Sequence, residues 1–194
     1  MKQQQNNSAP PLKRVYTNKD GIIDGADNNE YVEVNLTQTK EDLHPYSILF
    51  RGHGGKDAFV LNASRPVQAS LNGGDGNDAF YIGDVAQNSR IAINGDGGID
   101  RVRIANPTSY VFQYDKNHKI TITSKENGST ITLSGVEEFQ YLSIGYEASV
   151  PSNDLDTSPP NKTYNVDIWQ ALDGTPPNTP MELKTLAFAK IVRG

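Results

Sequence analysis

The chain has 194 residues, a formal net charge of −5 and no cysteine. This length suits one domain with a hydrophobic core plus tails. The acidic balance argues against binding to nucleic acids or anionic membranes, and the lack of cysteine excludes disulfides and thiol nucleophiles. Hydrophobic residues make up 36% of the chain, and no stretch reaches the roughly 18 apolar residues of a transmembrane helix.

The N-terminal segment, residues 1–14, is rich in Gln and Asn and is predicted to be a disordered lead. It lacks the apolar centre of a secretory signal peptide. We therefore expect a protein that stays in the cytosol, one exported by a route that ignores the N-terminus, or a piece of a larger secreted protein.

Residues 15–145 are predicted to be β-structure, because short or alternating apolar runs recur between turn residues. The predicted strands up to the middle of the chain are 31–35, 46–50, 58–61, 67–71, 79–82, 90–93, 101–104 and 110–114. Three glycine-rich loops join pairs of these strands, at 52–60, 73–81 and 95–103. Each unit of the repeat is thus predicted to hold two strands, with a glycine loop on one side and a polar turn on the other.

The middle glycine loop fits the nonapeptide G-G-x-G-x-D-x-U-x in full, where U is a large apolar residue. The outer two loops depart from it only at the second glycine, which is His53 in one and Asp96 in the other. The sixth position is always an aspartate, and these residues lie 21 to 22 positions apart: Asp57, Asp78 and Asp100. This period is typical of a stacked repeat.

Such loops supply the ligands that calcium prefers. Ca²⁺ binds roughly six to eight oxygens, from carboxylates and from backbone carbonyls. Neighbouring strands lie about 4.8 Å apart, so two stacked loops place two aspartates and several carbonyls around one gap. Three loops make two gaps, and we predict two calcium ions, one between loops 52–57 and 73–78 and one between loops 73–78 and 95–100.

These loops resemble the repeats-in-toxin (RTX) family, which carries the hemolysin-type calcium-binding repeat. The resemblance covers about residues 50–104 and implies a parallel β-roll that folds on binding calcium and leaves a bacterial cell by type I secretion. It implies Asp57, Asp78 and Asp100 as carboxylate ligands. It further implies carbonyl ligands at Gly52, Gly54, Gly73, Asp75, Gly95 and Gly97. Family repeats usually bind calcium on both edges, whereas here the polar turns carry no motif, so only one edge is expected to bind metal.

A weaker candidate loop spans residues 16–27. It fits part of the EF-hand pattern and weakly resembles the thrombospondin type-3 repeat, with ligands Asn18, Asp20, Asp24 and Asp27 and one further calcium ion. Two other interpretations stay open: a solvated acidic turn, and a degenerate glycine loop with Glu30 in the aspartate position.

The repeat is predicted to end after Ile104. An Asn-Gly pair at 127–128, between alternating runs at 119–123 and 129–133, predicts a hairpin that caps the stack. Residues 146–180 are rich in Pro and Asn and are predicted to be a linker, and residues 181–194 are predicted to form an amphipathic helix. The expected fold is all-β, a short right-handed parallel β-solenoid with an antiparallel hairpin cap and an irregular C-terminal tail that ends in a short helix.

No catalytic motif is visible, and His44, His53 and His118 are all assigned to turns or loops. The expected function is a calcium-binding module of a secreted protein, with a binding or structural role. One alternative is a lyase or epimerase acting on polysaccharides, which would require Arg90, Arg101 and Asp84 to converge on one groove. The other is a host-directed toxin or adhesin domain. Its protein or glycan partner would bind the aromatic-rich end of the stack, residues 110–146, or the C-terminal tail.

Overall fold

The computed structural model describes residues 12–37, 44–105, 109–117, 119–144, 161–167 and 176–182. These residues form an all-β fold, and none of them lies in an α-helix that could cross a membrane. The strands are β1 (Leu12–Thr17), β2 (Gly21–Asp27), β3 (Glu30–Leu36), β4 (Tyr46–Gly54), β5 (Ala58–Ala63), β6 (Val67–Asp75), β7 (Ala79–Val85), β8 (Arg90–Gly97), β9 (Arg101–Ile104), β10 (Tyr110–Tyr114), β11 (Ile120–Ser124), β12 (Thr130–Ser134), β13 (Glu138–Ile144), β14 (Asn161–Asp167) and β15 (Met181–Glu182).

The strands form two sheets. Sheet A has the order β1-β3-β5-β7-β9-β13-β14, and sheet B has the order β15-β10-β11-β12-β8-β6-β4-β2. From β1 to β9 the chain alternates between the sheets, so each strand pairs in parallel with the strand two places later. We call one passage through both sheets a unit. Units 1 to 4 are β2–β3, β4–β5, β6–β7 and β8–β9, and each turns from sheet B to sheet A through a loop at the same edge.

The hydrophobic core lies between the two sheets. Alternate side chains of each strand point inward, as the period of two in the sequence predicts. The residues in register stack into two columns whose members are at most 2% exposed. The column of sheet A is Val32, Phe59, Phe80, Val102 and Phe139, and the column of sheet B is Ile23, Phe50, Leu71, Ile93 and Leu133. The apolar residue of each glycine loop is therefore a core residue.

The predicted hairpin is present, because β11 and β12 pair antiparallel across the Asn-Gly turn. The expectation that the repeat ends after Ile104 is wrong. Strand β12 also pairs in parallel with β8, and β13 pairs in parallel with β9, so these two strands form a fifth unit. Strands β10 and β11 are an insertion between units 4 and 5, and they extend sheet B beyond β12 in antiparallel pairing.

The predicted boundaries also change at both ends. Residues 12–14 belong to β1 and not to a disordered lead, because β1 pairs with β3 over its whole length. Part of the predicted linker forms β14, which covers the open edge of β13. Met181 and Glu182 pair with β10 as a short strand and do not begin a helix. Residues 1–11 and 183–194, where the rest of the lead and the helix were predicted, lie outside the described residues.

Candidate functional site

The loops of units 1 to 4 stack at one edge of the two sheets, because the strands that flank them are in register. Tight turns at the second and fourth loop positions require left-handed backbone, as at Gly74 (φ 101°) and Gly76 (φ 137°). His53 and Asp96 adopt the same conformation at the second position, with φ of 73° and 69°. Both residue types are among those that tolerate it best, so the two departures from the motif keep the turn geometry.

The aspartates of the three glycine loops form the centre of a column of carboxylates. The backbone N–H of Asp57 donates to Asp78 Oδ1 at 2.7 Å, and the N–H of Asp78 donates to Asp100 Oδ1 at 2.7 Å. The column extends at both ends through glutamates. Glu30 N–H donates to Asp57 Oδ1 at 2.8 Å, and Asp100 N–H donates to Glu137 Oε2 at 2.8 Å. Each carboxylate from Asp57 to Glu137 therefore accepts a hydrogen bond from the loop of the preceding unit.

The second oxygen of these carboxylates has no such partner. Asp57, Asp78 and Asp100 are at most 3% exposed, and their Oδ2 atoms are buried without a hydrogen bond. Glu30 Oε2 is in the same position. A buried polar atom without a partner costs about 1–3 kcal/mol, and more if it is charged. Four such atoms lie in register along the column, and no described residue offsets their desolvation with a hydrogen bond.

Burial also changes the acidity of the aspartates. Desolvation is the main cause in each case, and it raises the pKa of Asp57 to about 7 and that of Asp100 to about 6. The pKa of Asp78 is raised for the same reason. The hydrogen bonds from the backbone act in the opposite direction but do not cancel the effect of burial. Burial therefore disfavours the charged form of all three aspartates.

A backbone carbonyl oxygen of the next unit lies near each partnerless oxygen, beside the same glycine. A Cβ atom placed on Gly25 would lie 2.5 Å from Glu30 Oε2 and 2.7 Å from Gly52 O. The same arrangement recurs in the next three gaps, where the space beside the glycine is bounded by one carboxylate oxygen and one glycine carbonyl oxygen. The pairs are Asp57 Oδ2 with Gly73 O, Asp78 Oδ2 with Gly95 O, and Asp100 Oδ2 with Gly135 O. A side chain at any of these four positions would clash with oxygen atoms, so only glycine fits beside the column.

A guanidinium stands at the N-terminal end of the column. Arg14 Nη2 lies 2.7 Å from Glu30 Oε1, and Arg14 Nη1 donates to Asp24 O at 2.8 Å. Glu30 is buried, so this ion pair places a positive charge of the protein itself beside the first gap. The first gap is neutralised from within, in contrast to the three that follow.

The structure brings only some of the implied ligands together in the carboxylate column. Asp57, Asp78 and Asp100 come together in the column, and Gly52, Gly73 and Gly95 border its gaps. The carbonyls implied at Asp75 and Gly97 instead accept the N–H groups of Gly55 and Gly76, at 2.8 and 2.6 Å. A Cβ on Gly54 would meet Asp27 Oδ1 at 3.6 Å, so this glycine lies outside the column.

The predicted ligands of the weaker loop, residues 16–27, make separate contacts with different parts of the chain. Asn18 Oδ1 accepts the N–H of Thr37 and Asp20 Oδ1 accepts the N–H of Ser47. Asp24 lies 3.0 Å from His53 Nε2, on the exposed side of β2. Asp27 is also exposed, at the end of the same strand. Of the three interpretations of this segment, the register supports the degenerate glycine loop, since Glu30 aligns with the aspartates and Gly25 with Gly52.

Sequence reasoning missed Arg14 and Glu137. Glu137 had a signal in the sequence. Phe139 follows it by two residues, as the apolar residue follows the aspartate in each glycine loop, and Gly135 precedes it as in a shortened loop. Arg14 had none, since its partner Glu30 lies 16 residues away on another strand.

The arginines and aspartate proposed for an enzyme do not converge. Arg90 lies on the outer face of sheet B, whereas Arg101 lies on sheet A and pairs with Glu138 at 3.0 Å. Asp84 lies near the far end of β7, beside the polar turns. Much of the aromatic-rich end is core, because Tyr110, Phe112 and Phe139 are buried, and Trp169 lies outside the described residues.

Comparisons with protein-family models, with curated proteins and with solved structures found no match to this chain. Within the described residues no three His, Asp or Glu side chains lie close enough to hold a metal together.

Proposed function

We propose that this chain is a calcium-binding module of the RTX kind, built as a short right-handed parallel β-solenoid that is exported from a bacterial cell and completes its folding on binding calcium. The observation that carries this proposal is the row of buried carboxylate oxygens without partners, each near a glycine carbonyl oxygen of the next unit. The right hand follows from the general rule for parallel strands joined by crossovers.

The chemistry of the gaps favours a hard divalent cation. Carboxylate and carbonyl oxygens are the ligands of Ca²⁺, and the gaps contain no sulfur or imidazole ligand that would favour zinc or copper. When bound, calcium would supply the positive charge that the desolvated aspartates lack. The residues of this chain hold the loops in place for it, through the hydrogen bonds from each backbone N–H to the next carboxylate.

The two gaps between units 2 and 3 and between units 3 and 4 are the sites that we predict from the glycine motifs. Gly135 O and Asp100 Oδ2 extend the same arrangement to the gap between units 4 and 5, which is therefore a candidate for a third ion. We expect no ion in the gap between units 1 and 2, because the guanidinium of Arg14 already neutralises Glu30.

Calcium-linked folding would serve secretion. Ligand that binds only the folded state stabilises it by RT ln(1 + [L]/Kd), which is about 2.7 kcal/mol at a hundredfold excess over Kd. Low calcium in the cytosol would leave the stack weak enough to be exported, and higher calcium outside the cell would fold it. The module would then play a binding or structural role in the extracellular space.

The test is a calcium titration of chelator-treated protein, followed by far-UV circular dichroism and thermal unfolding. Calcium should raise the Tm or induce β-structure, and magnesium at the same concentration should do much less. Asp78→Asn keeps the acceptor for Asp57 N–H but removes the charge, so it should fold and should respond less to calcium. Asp84→Asn, outside the column, is the matched control and should respond as the parent does. Equal responses of both variants, or none in the parent, would rule out the proposed sites.

A further inference from the structure

The outer face of sheet B carries a groove with a cavity volume of about 530 Å³. It crosses four parallel strands, β4, β6, β8 and β12, which pair side by side in that order. The groove is on the opposite side of sheet B from the core, because its side chains alternate with buried residues such as Ile91 and Ile131. It shares no side chain with the carboxylate column.

The side chains that line the groove are mostly uncharged hydrogen-bonding groups. They occupy two rows in register across the strands: Ser47, Gln68, Arg90 and Thr130 in one row, and Leu49, Ser70, Ala92 and Thr132 in the other. Strand β11 continues both rows with Thr123 and Thr121. Each of these strands thus presents at least one hydrogen-bonding side chain, at steps of about 4.8 Å, which suits an extended ligand that crosses the strands.

The charge of this face differs from that of the molecule. The chain has 23 acidic residues and a net charge of −5, yet no carboxylate lines the groove. The one charged side chain in it is Arg90, which is exposed and forms no ion pair with another described residue. A guanidinium among hydroxyl and amide groups is suited to a carboxylate that belongs to a polyhydroxylated molecule.

We propose that this groove binds an acidic polysaccharide, with Arg90 pairing with a sugar carboxylate and Gln68, Thr130 and Thr132 hydrogen-bonding to sugar hydroxyls. A sugar carboxylate would pair with the guanidinium more strongly than the hydroxyls of a neutral glycan, so charge complementarity favours the acidic ligand. A nucleic acid would need a broad basic surface, and the groove offers a single arginine.

The experiment is isothermal titration calorimetry of the full chain with a short oligogalacturonate, in calcium-containing buffer, beside a neutral oligosaccharide of the same length. Arg90→Gln should weaken binding of the acidic ligand about tenfold or more, since hydrogen bonds to charged groups are among the strong ones. Thr132→Val, which keeps the shape but removes a hydroxyl, should weaken it less. Arg103→Gln is the matched control, because it removes the same charge from the outer face of sheet A. It should bind as the parent does.

Several results would overturn the proposal. Absence of binding by a folded parent protein is one, and an equal loss in the Arg90 and Arg103 variants is another. Binding of a single-stranded oligonucleotide of equal charge, as tight and as dependent on Arg90, would show a general polyanion surface instead. Because the groove shares no side chain with the carboxylate column, a loss caused by Arg90→Gln is not a loss of a proposed calcium ligand.

Discussion

The backbone N–H of Asp100 donates to Glu137 Oε2 at 2.8 Å, although 37 residues separate them. The intervening chain forms β10 and β11, which leave the stack and return to it through β12. The hydrogen bond of the column is thus preserved across an insertion. A glutamate takes the place of the aspartate, and the loop before it is three residues shorter than in unit 4.

This hydrogen bond predicts that Glu137 stabilises the loop of unit 4. Glu137→Ala should lower the free energy of unfolding by about 1–3 kcal/mol, because it leaves the buried N–H of Asp100 without an acceptor. Glu137→Gln keeps an acceptor oxygen and should lie close to the parent. Urea denaturation of the two variants measures the difference, and equal stabilities would show that the hydrogen bond contributes nothing.

Arg14→Gln should destabilise the protein by about 1–3 kcal/mol, since it removes the partner of a buried carboxylate. Lys13→Gln, at the neighbouring position on the outer face of β1, is the matched control. The Arg14 variant should also gain a cation site beside Glu30, so its calcium stoichiometry should rise by one ion. Calorimetric titration measures that number, and an unchanged value would mean that the guanidinium does not substitute for a metal.

The glycines of the column should tolerate no side chain. A Cβ on Gly73 would strike Asp78 Oδ2 and lie 2.8 Å from Gly95 O. Gly73→Ala should therefore cost about 1–3 kcal/mol as overpacking and should also impair calcium binding. Gly54→Ala is the control in the neighbouring loop, because its nearest neighbour would be 3.6 Å away. A comparable loss in both variants would indicate a backbone effect and not a closed gap.

Stability without metal should depend on pH. The folded-state pKa of Asp57 is about 7 and that of Asp100 about 6, both above the value of about 3.9 for an unfolded aspartate. The folded state thus binds protons more tightly. Proton binding to these aspartates stabilises the folded state fully below about pH 4, and this stabilisation is lost as the pH rises through 6 and 7.

In chelator, the Tm should therefore fall between pH 5 and pH 8, and calcium should raise it more at pH 8, because bound cations replace protons. Asp57→Asn should flatten the pH dependence, whereas Asp84→Asn should leave it unchanged. A metal-free Tm that rises over this range would contradict the assignment of the raised pKa values to the column.

Much of the fold could be predicted because its signals are local. The alternation around Phe80 and the glycines that precede it lie within a few residues of each other, and the structure confirms the strands on both sides. The predictions failed where the signals are not local. Glu137 differs in residue type from the aspartates it aligns with, and the insertion of β10 and β11 interrupts the spacing.

The same distinction between local and non-local signals applies to the carboxylate column. Position within the motif identified Asp57, Asp78 and Asp100. It did not reveal that one oxygen of each would accept a backbone N–H and the other would remain buried without a partner. That distinction depends on which unit lies above and which below, and the sequence of one loop contains no such information.

The hydrogen bonds of the carboxylate column all run one way along the chain, from the N–H of an earlier unit to the carboxylate of a later one. The stack therefore has a direction, because each loop N–H depends on the unit that follows it and not on the unit that precedes it. Removal of the last unit would leave the loop N–H before it without an acceptor, whereas removal of the first unit would leave every remaining N–H of the column with its acceptor.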